Sequence, residues 1–298
     1  MRILALFIFL VFVGLIRLPG SCFATNLIDM SRQNAVFVSG TFQQGQQTMI
    51  TSGSGFFLDQ THVATCYHII FPPAPPSGAF SVASIGNIEV VVSDGEVIPA
   101  EDVTLPLAED KTPGDDDFAI LRLERSPKIA IVPCAFAKDV PKQLIGSAVT
   151  LSGYPLAEEA PGFNRDDPNT FILHTFLGTI SGFSKSLIGL QAPINRGSSG
   201  SAVLNKAGEV IGIVGFEDSN FDSVLHQAEN ANIGFDQMTP SEKLATTSLF
   251  QLIGQLGNSY SNGIGYARTI NGLSSYIERH AAVLKLAPPR SGAAVRLN

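Results

Sequence analysis

The chain is 298 residues long, 45% hydrophobic and 15% charged, with a formal net charge of -7. That composition fits a globular protein of one or two domains. The acidic balance excludes the basic face that nucleic-acid binding requires, and no Lys/Arg cluster is present to seek anionic lipid.

Residues 1–24, MRILALFIFLVFVGLIRLPGSCFA, read as a secretion signal. Arg2 gives a positive start, and the apolar run Leu4–Ile16, about 13 residues, is short of the roughly 20 that a membrane span needs. Leu18-Pro19-Gly20 follows, and the small residues Cys22 and Ala24 suit cleavage after Ala24. The expected protein is therefore exported, periplasmic or secreted, with no stable membrane span once the signal is cut; an uncleaved anchor is the alternative. Cys66 and Cys134 then remain, free to pair in an oxidising compartment or to stay as two separate thiols. The five histidines, His62, His68, His174, His226 and His280, are scattered singly, so no structural zinc set, metal or cofactor is expected.

From Asn34 the chain is rich in short β-type runs broken by Gly, Pro, Asn or Asp: Ala35–Phe42, Thr51–Leu58, Val63–Cys66, Phe80–Ile85, Ile88–Val92 and Phe118–Leu123. Such spacing predicts an all-β sandwich or barrel. Pro127, Pro133 and Pro141 mark a linker over about 126–145 between a first β unit (about 33–125) and a second (about 146–286), which includes Ala148–Ser152 and Phe171–Ile180. An insertion over 217–262 has a helical second half, with Thr239-Pro240-Ser241-Glu242 as its start signal and Gly257 as its stop. It is read as either a lid or a peripheral decoration. A last helix is predicted over about Asn271–Leu286, with Leu273, Ile277, Ala281 and Leu284 on one side, and residues 287–298 form a disordered tail.

Gln191–Gly215, QAPINRGSSGSAVLNKAGEVIGIVG, is a glycine-bearing loop feeding a buried hairpin. A serine between glycines presents an exposed hydroxyl, and its neighbours are free to aim backbone N–H groups at one point. That is what an acyl-transfer nucleophile needs. Upstream, His68 follows a strand, and Asp117 stands last in an acidic run at the mouth of another. The order His68, Asp117, Ser199, each at a strand edge or tight loop, is a Ser-His-Asp triad order.

The segments GSGFFLDQTHVATCYHII, DDDFAILRLE, VTLSGYP, GTISGF, QAPINRGSSGSAVLNKAGEVIGI and NGIGYARTINGLSSYI occur in one order over most of Ala35–Leu286. In them the chain resembles trypsin-like serine proteases of the HtrA/Deg type. The resemblance implies two perpendicular six-stranded antiparallel Greek-key β-barrels, the active site between them, and a C-terminal helix packed on the second. It implies a serine endopeptidase acting on protein or peptide substrates, including unfolded ones, with His68 as base and Asp117 as its partner. Ser199 would be the nucleophile, and the amides of Gly197, Ser198 and Ser199 would form the oxyanion hole. The substrate pocket would be lined by Pro193, Ile194, Val214, Gly215 and Phe216. With Pro193 six residues before Ser199 and no histidine in Gly212-Ile213-Val214-Gly215, neither a basic nor a glutamyl preference is expected. The expected preference is for small or medium apolar residues before the cut. The chain departs from the pattern at Ser198, Ser201 and Cys66-Tyr67. It carries no recognisable PDZ domain, and Thr25–Asn34 leaves little material for trimer contacts, so the oligomeric state stays open. The rival reading is a catalytically inactive protease fold kept as a binding module.

Overall fold

Successive side chains of a strand point to opposite faces, and Ala35 onward shows what that does here. Val36 and Val38 enter the main core, while Phe37 between them turns outward to Tyr154 and Phe171. The computed structural model describes residues 20–44, 47–71, 84–106, 117–138, 145–155, 164, 167–217, 239, 241 and 264–286.

Twelve strands build two closed antiparallel barrels of six strands each. The first contains β1 (Ala35–Gln44), β2 (Gln47–Phe57), β3 (His62–Thr65), β4 (Ser84–Val91), β5 (Val97–Thr104) and β6 (Ala119–Leu123), in the order β1-β2-β3-β6-β5-β4. The second contains β7 (Ala148–Gly153), β8 (His174–Phe183), β9 (Leu187–Gln191), β10 (Ala202–Leu204), β11 (Val210–Glu217) and β12 (Ile264–Thr269), in the order β10-β11-β12-β9-β8-β7. This is the Greek-key double barrel that the sequence implies. Among the described residues it is accompanied by the α-helices α1 (Gly20–Asn34), the single turn α2 (Tyr67–Ile70) and α3 (Asn271–Leu284), and by a 3-10 turn at Pro168–Thr170. No helix among the described residues is long and apolar enough to cross a membrane.

Several details differ from expectation. No helix is expected before Asn34, yet α1 starts directly after Pro19 and runs through the proposed cleavage point at Ala24. Its Leu27 and Met30 pack on the main core, and its Ser31 hydroxyl donates to Ser152 Oγ of β7 at 2.8 Å. β5 is not expected either, because Pro99, Glu101 and Asp102 spoil its alternation. It is held by pairing with β4 and β6, and a register shift between Ala100 and Asp102 absorbs the mismatch. The proposed linker is partly built into the second barrel: Ala137 N–H donates to Val210 O at 3.0 Å, and Val210 N–H donates to Ala135 O at 2.8 Å. The helical half of the insertion lies outside the described residues apart from Thr239 and Ser241, as do residues 1–19 and the tail.

α3 reaches beyond the expected packing on the second barrel: its buried residues share one core cluster with Leu204, Val210 and Ile213 and with the first barrel. Leu273, Tyr276, Ile277 and Leu284 are buried, and Ala281 is exposed. The Tyr276 ring meets Phe118 edge-on at 5.5 Å, and its hydroxyl donates to Leu105 O at 3.2 Å; both partners belong to the first barrel. Burying side chains of this size stabilises by about 1.5–3 kcal/mol each, so α3 ties the two barrels together.

Candidate active site

β3 lies between β2 and β6, with Thr65 opposite Ala119. The residues just past the end of β3 and just before the start of β6 are therefore neighbours. Those positions hold His68, on α2, and Asp117. Ile69 and Ile70 sink into the core and fix the α2 turn, which leaves the His68 ring half-exposed. Its Nδ1 stands 2.8 Å and 3.0 Å from the two Asp117 oxygens, and its backbone N–H donates to Asp117 Oδ1 at 3.1 Å. Burial pushes the Asp117 carboxyl up, but the hydrogen bonds and charge of His68, with the charge of Arg268, outweigh it and hold the group below the ordinary carboxylate range.

Ser199 sits on the loop between β9 and β10. Gly197 and Gly200 take φ of 85° and 90°, conformations that L-residues rarely adopt. A Cβ at Gly200 would lie 1.9 Å from Ser54 O, so glycine is required there on both counts. The turn is held by Ser198 N–H donating to Asn195 O at 2.9 Å and by Asn195 N–H donating to Ser198 Oγ at 3.3 Å. Among the described residues the N–H groups of Gly197 and Ser199 have no partner, whereas that of Ser198 is committed inward. The Ser199 hydroxyl donates to Gly215 O at 3.2 Å and makes no hydrogen bond to His68.

The five residues expected to line a substrate pocket separate. Pro193 is exposed, and the Gly215 Cα faces Asp117. Ile194 and Val214 are buried in the core of the second barrel, with Ile194 lying over Gly265, where an added Cβ would meet its Cδ1 at 2.3 Å. Their side chains are buried within that barrel. Phe216 contributes a backbone pairing with Tyr266; its side chain lies outside the described set.

A trypsin-like peptidase domain profile matches residues 53–213, more than half of the chain. The chain belongs to the trypsin-like peptidase family. Two solved structures share the fold of this trypsin-like peptidase. The active form of the Rv3671c protease from M. tuberculosis is similar with a TM-score of 0.52 and 15% identity, over 91% of this chain and 89% of that one. A Glu endopeptidase in complex with MPD is similar with a TM-score of 0.51 and 13% identity, over 85% and 91%.

Three residues that the sequence does not assign to the site lie beside it in this trypsin-like peptidase. Cys66, the residue before α2, is fully buried and its thiol donates to Val214 O at 3.1 Å. Burial first, and then the charge of Asp117, push that thiol well up, so it is a packed neighbour of the His–Asp pair and not a second nucleophile. Cys66, His68 and Asp117 form the only group of three metal-ligating side chains within 4.8 Å of one another among the described residues. All three already have protein partners. Arg268 on β12 is the second; its Nε is buried without a partner, and its charge reaches both Asp117 and Cys66. The third is Ser54, whose one sequence signal is a serine between Gly53 and Gly55 inside a strand. Cys66 and Cys134 are free thiols, Cys134 accepting from Asn34 Nδ2 at 3.3 Å.

Proposed function

We propose that this trypsin-like peptidase is a serine endopeptidase of the HtrA/Deg type, exported to the periplasm or beyond the cell. The observation that carries the reading is the His68–Asp117 pair, hydrogen-bonded through Nδ1 at 2.8 Å, together with two unpartnered amides on the loop that holds Ser199. Asp117 keeps the proton of the neutral imidazole on Nδ1, which leaves Nε2 as the base. Ser199 attacks the scissile carbonyl as His68 takes its proton. The carbonyl oxygen becomes an anion and is received by the N–H groups of Gly197 and Ser199, each worth about 3 kcal/mol in the transition state. His68 then returns the proton to the leaving amine, and water cleaves the acyl-enzyme by the same steps. Ser198 adds no donor to this hole, because its N–H is occupied by Asn195.

For the reaction, the Ser199 hydroxyl must rotate from Gly215 O toward His68. It gives up one hydrogen bond worth about 1 kcal/mol, which substrate binding readily offsets. Substrates are protein or peptide chains, with small or medium apolar residues before the cut. Pro193 and the backbone at Gly215 and Phe216 frame the approach to Ser199 and supply no basic or acidic group.

The contact from Ser199 to Gly215 O is also what favours the second reading, an inactive protease-fold binding module. Mature protein treated with a fluorophosphonate probe and an unfolded protein substrate decides between them. Labelling and cleavage present in the wild type and lost in Ser199→Ala support the endopeptidase. A wild type that stays unlabelled and inert supports the binding module.

A further inference from the structure

Ser54 on β2 has no solvent exposure, and it lies where the first barrel meets the loop of the second that carries Ser199. All of its polar atoms are used, most of them across that junction. Its N–H donates to Ser199 O at 2.8 Å, and its hydroxyl donates to Gly197 O at 2.6 Å. The same hydroxyl accepts from Tyr154 N–H at 2.9 Å, and its carbonyl accepts from Thr65 Oγ1 at 2.7 Å. The two carbonyls it grips flank the peptide whose N–H is that of Ser199. Gly153 adds to the fit: a Cβ there would come within 2.7 Å of the Ser54 hydroxyl.

Glycine at 197, with φ of 85°, allows the loop amides to turn toward a common point, and it equally allows them to turn away. The bonds inside the loop, Ser198 N–H to Asn195 O and Asn195 N–H to Ser198 Oγ, leave the Gly197 carbonyl itself unheld. We propose that Ser54 selects between the two arrangements: it is a positioning residue that clamps the Gly197 and Ser199 carbonyls and so aims the Gly197 and Ser199 amides at the developing oxyanion. The proposal rests on the endopeptidase reading of those amides.

Without the hydroxyl, as in Ser54→Ala, the part-buried Gly197 O and the buried Tyr154 N–H lose this partner, and the loop relaxes by rotating at Gly197. Direct loss of one oxyanion donor lowers kcat about 10²–10³-fold, and misaiming is milder. The expected loss in kcat for folded Ser54→Ala is therefore about 10–100-fold with KM held within about threefold, since only the transition state uses the hole. Affinity for a peptide boronate, whose oxygen occupies the hole, falls by the same factor, while affinity for a cleaved product peptide does not change. A purely structural role would lower the unfolding temperature and leave these ratios alone.

Unchanged kcat and boronate affinity in folded Ser54→Ala overturn the proposal, as does a loss confined to KM. If Ser54→Ala does not fold, Ser54→Cys, which keeps a weaker donor in place, is expected to show a smaller loss of the same kind, and wild-type kcat in it overturns the proposal. If the wild type itself proves inert, the endopeptidase reading fails and the clamp is still tested by crystal structures of wild type and Ser54→Ala. A Gly197 carbonyl that stays in place without the hydroxyl refutes it, and one that swings away supports it.

Discussion

Asp117→Asn tests the proposed chemistry with the smallest change of shape. The carboxylate accepts the His68 ring N–H at 2.8 Å and 3.0 Å and the His68 backbone N–H at 3.1 Å. An amide has one acceptor oxygen and one donor group. If its oxygen keeps the backbone bond, its NH2 faces Nδ1, the imidazole proton moves to Nε2, and the ring can no longer accept a proton from Ser199. If its oxygen instead serves the ring, the NH2 meets the backbone N–H head-on, leaving a donor unsatisfied at about 1–3 kcal/mol. The unproductive tautomer is favoured by that margin. Loss of the negative charge beside the imidazolium removes about 1.5–3 kcal/mol more, the worth of a hydrogen bond to a charged group. At 1.36 kcal/mol per decade the sum gives a fall of about 10²–10⁴ in kcat, with KM little changed. The assay is steady-state cleavage of a peptide together with the second-order rate of fluorophosphonate labelling. Asp117→Asn reacting within fivefold of wild type would refute the assignment.

The same pair carries a pH signature. Asp117 is held below its ordinary value in the folded state, so its contribution to stability is complete above the unfolded value of about 3.9 and is lost as pH falls through the lower folded value. The unfolding-temperature gap between wild type and Asp117→Asn is expected to shrink as pH falls below about 4 and the carboxylate takes up its proton; a gap that widens there contradicts the pairing. Gly200→Ala combines a φ of 90° with a Cβ placed 1.9 Å from the backbone oxygen of Ser54. A loss of at least about 3 kcal/mol is expected by urea unfolding, and a loss below 1 kcal/mol would show that the loop is not clamped. Native protein is expected to resist alkylation at Cys66, whose buried thiol is pushed well up, and both thiols should become titratable in denaturant without reductant. A disulfide found between Cys66 and Cys134 would contradict the arrangement.

How far the fold could be read in the sequence depended on which element spoke locally. β3, β6, β7 and α3 announce themselves by apolar patterning, and the glycine-serine loop announces a special backbone. β5 does not, because Pro99 and its acidic residues are exposed and its strand character comes from β4 and β6 on either side. α1 is hidden by its overlap with a signal-like segment. At the site, the pairing of His68 with Asp117 follows from strand order. Ser54 and Arg268 act through space, across strands distant in sequence, and no local pattern reports that. Ile194 and Val214 show the converse: family resemblance puts them beside a substrate, while their side chains are buried in the second barrel's core.

The grip of α3 on the first barrel bears on the order of events as the chain is made. Phe118, next to Asp117, is covered by Tyr276, a contact that spans more than half of the chain. Domains in a nascent chain tend to form from the amino end, yet Phe118 of this first barrel stays uncovered until α3 has emerged. The His68–Asp117 half of the site thus gains its final support only after Gly197–Ser199 already exists. A ribosome-bound fragment ending before residue 271 therefore carries a first barrel in which Phe118 is uncovered.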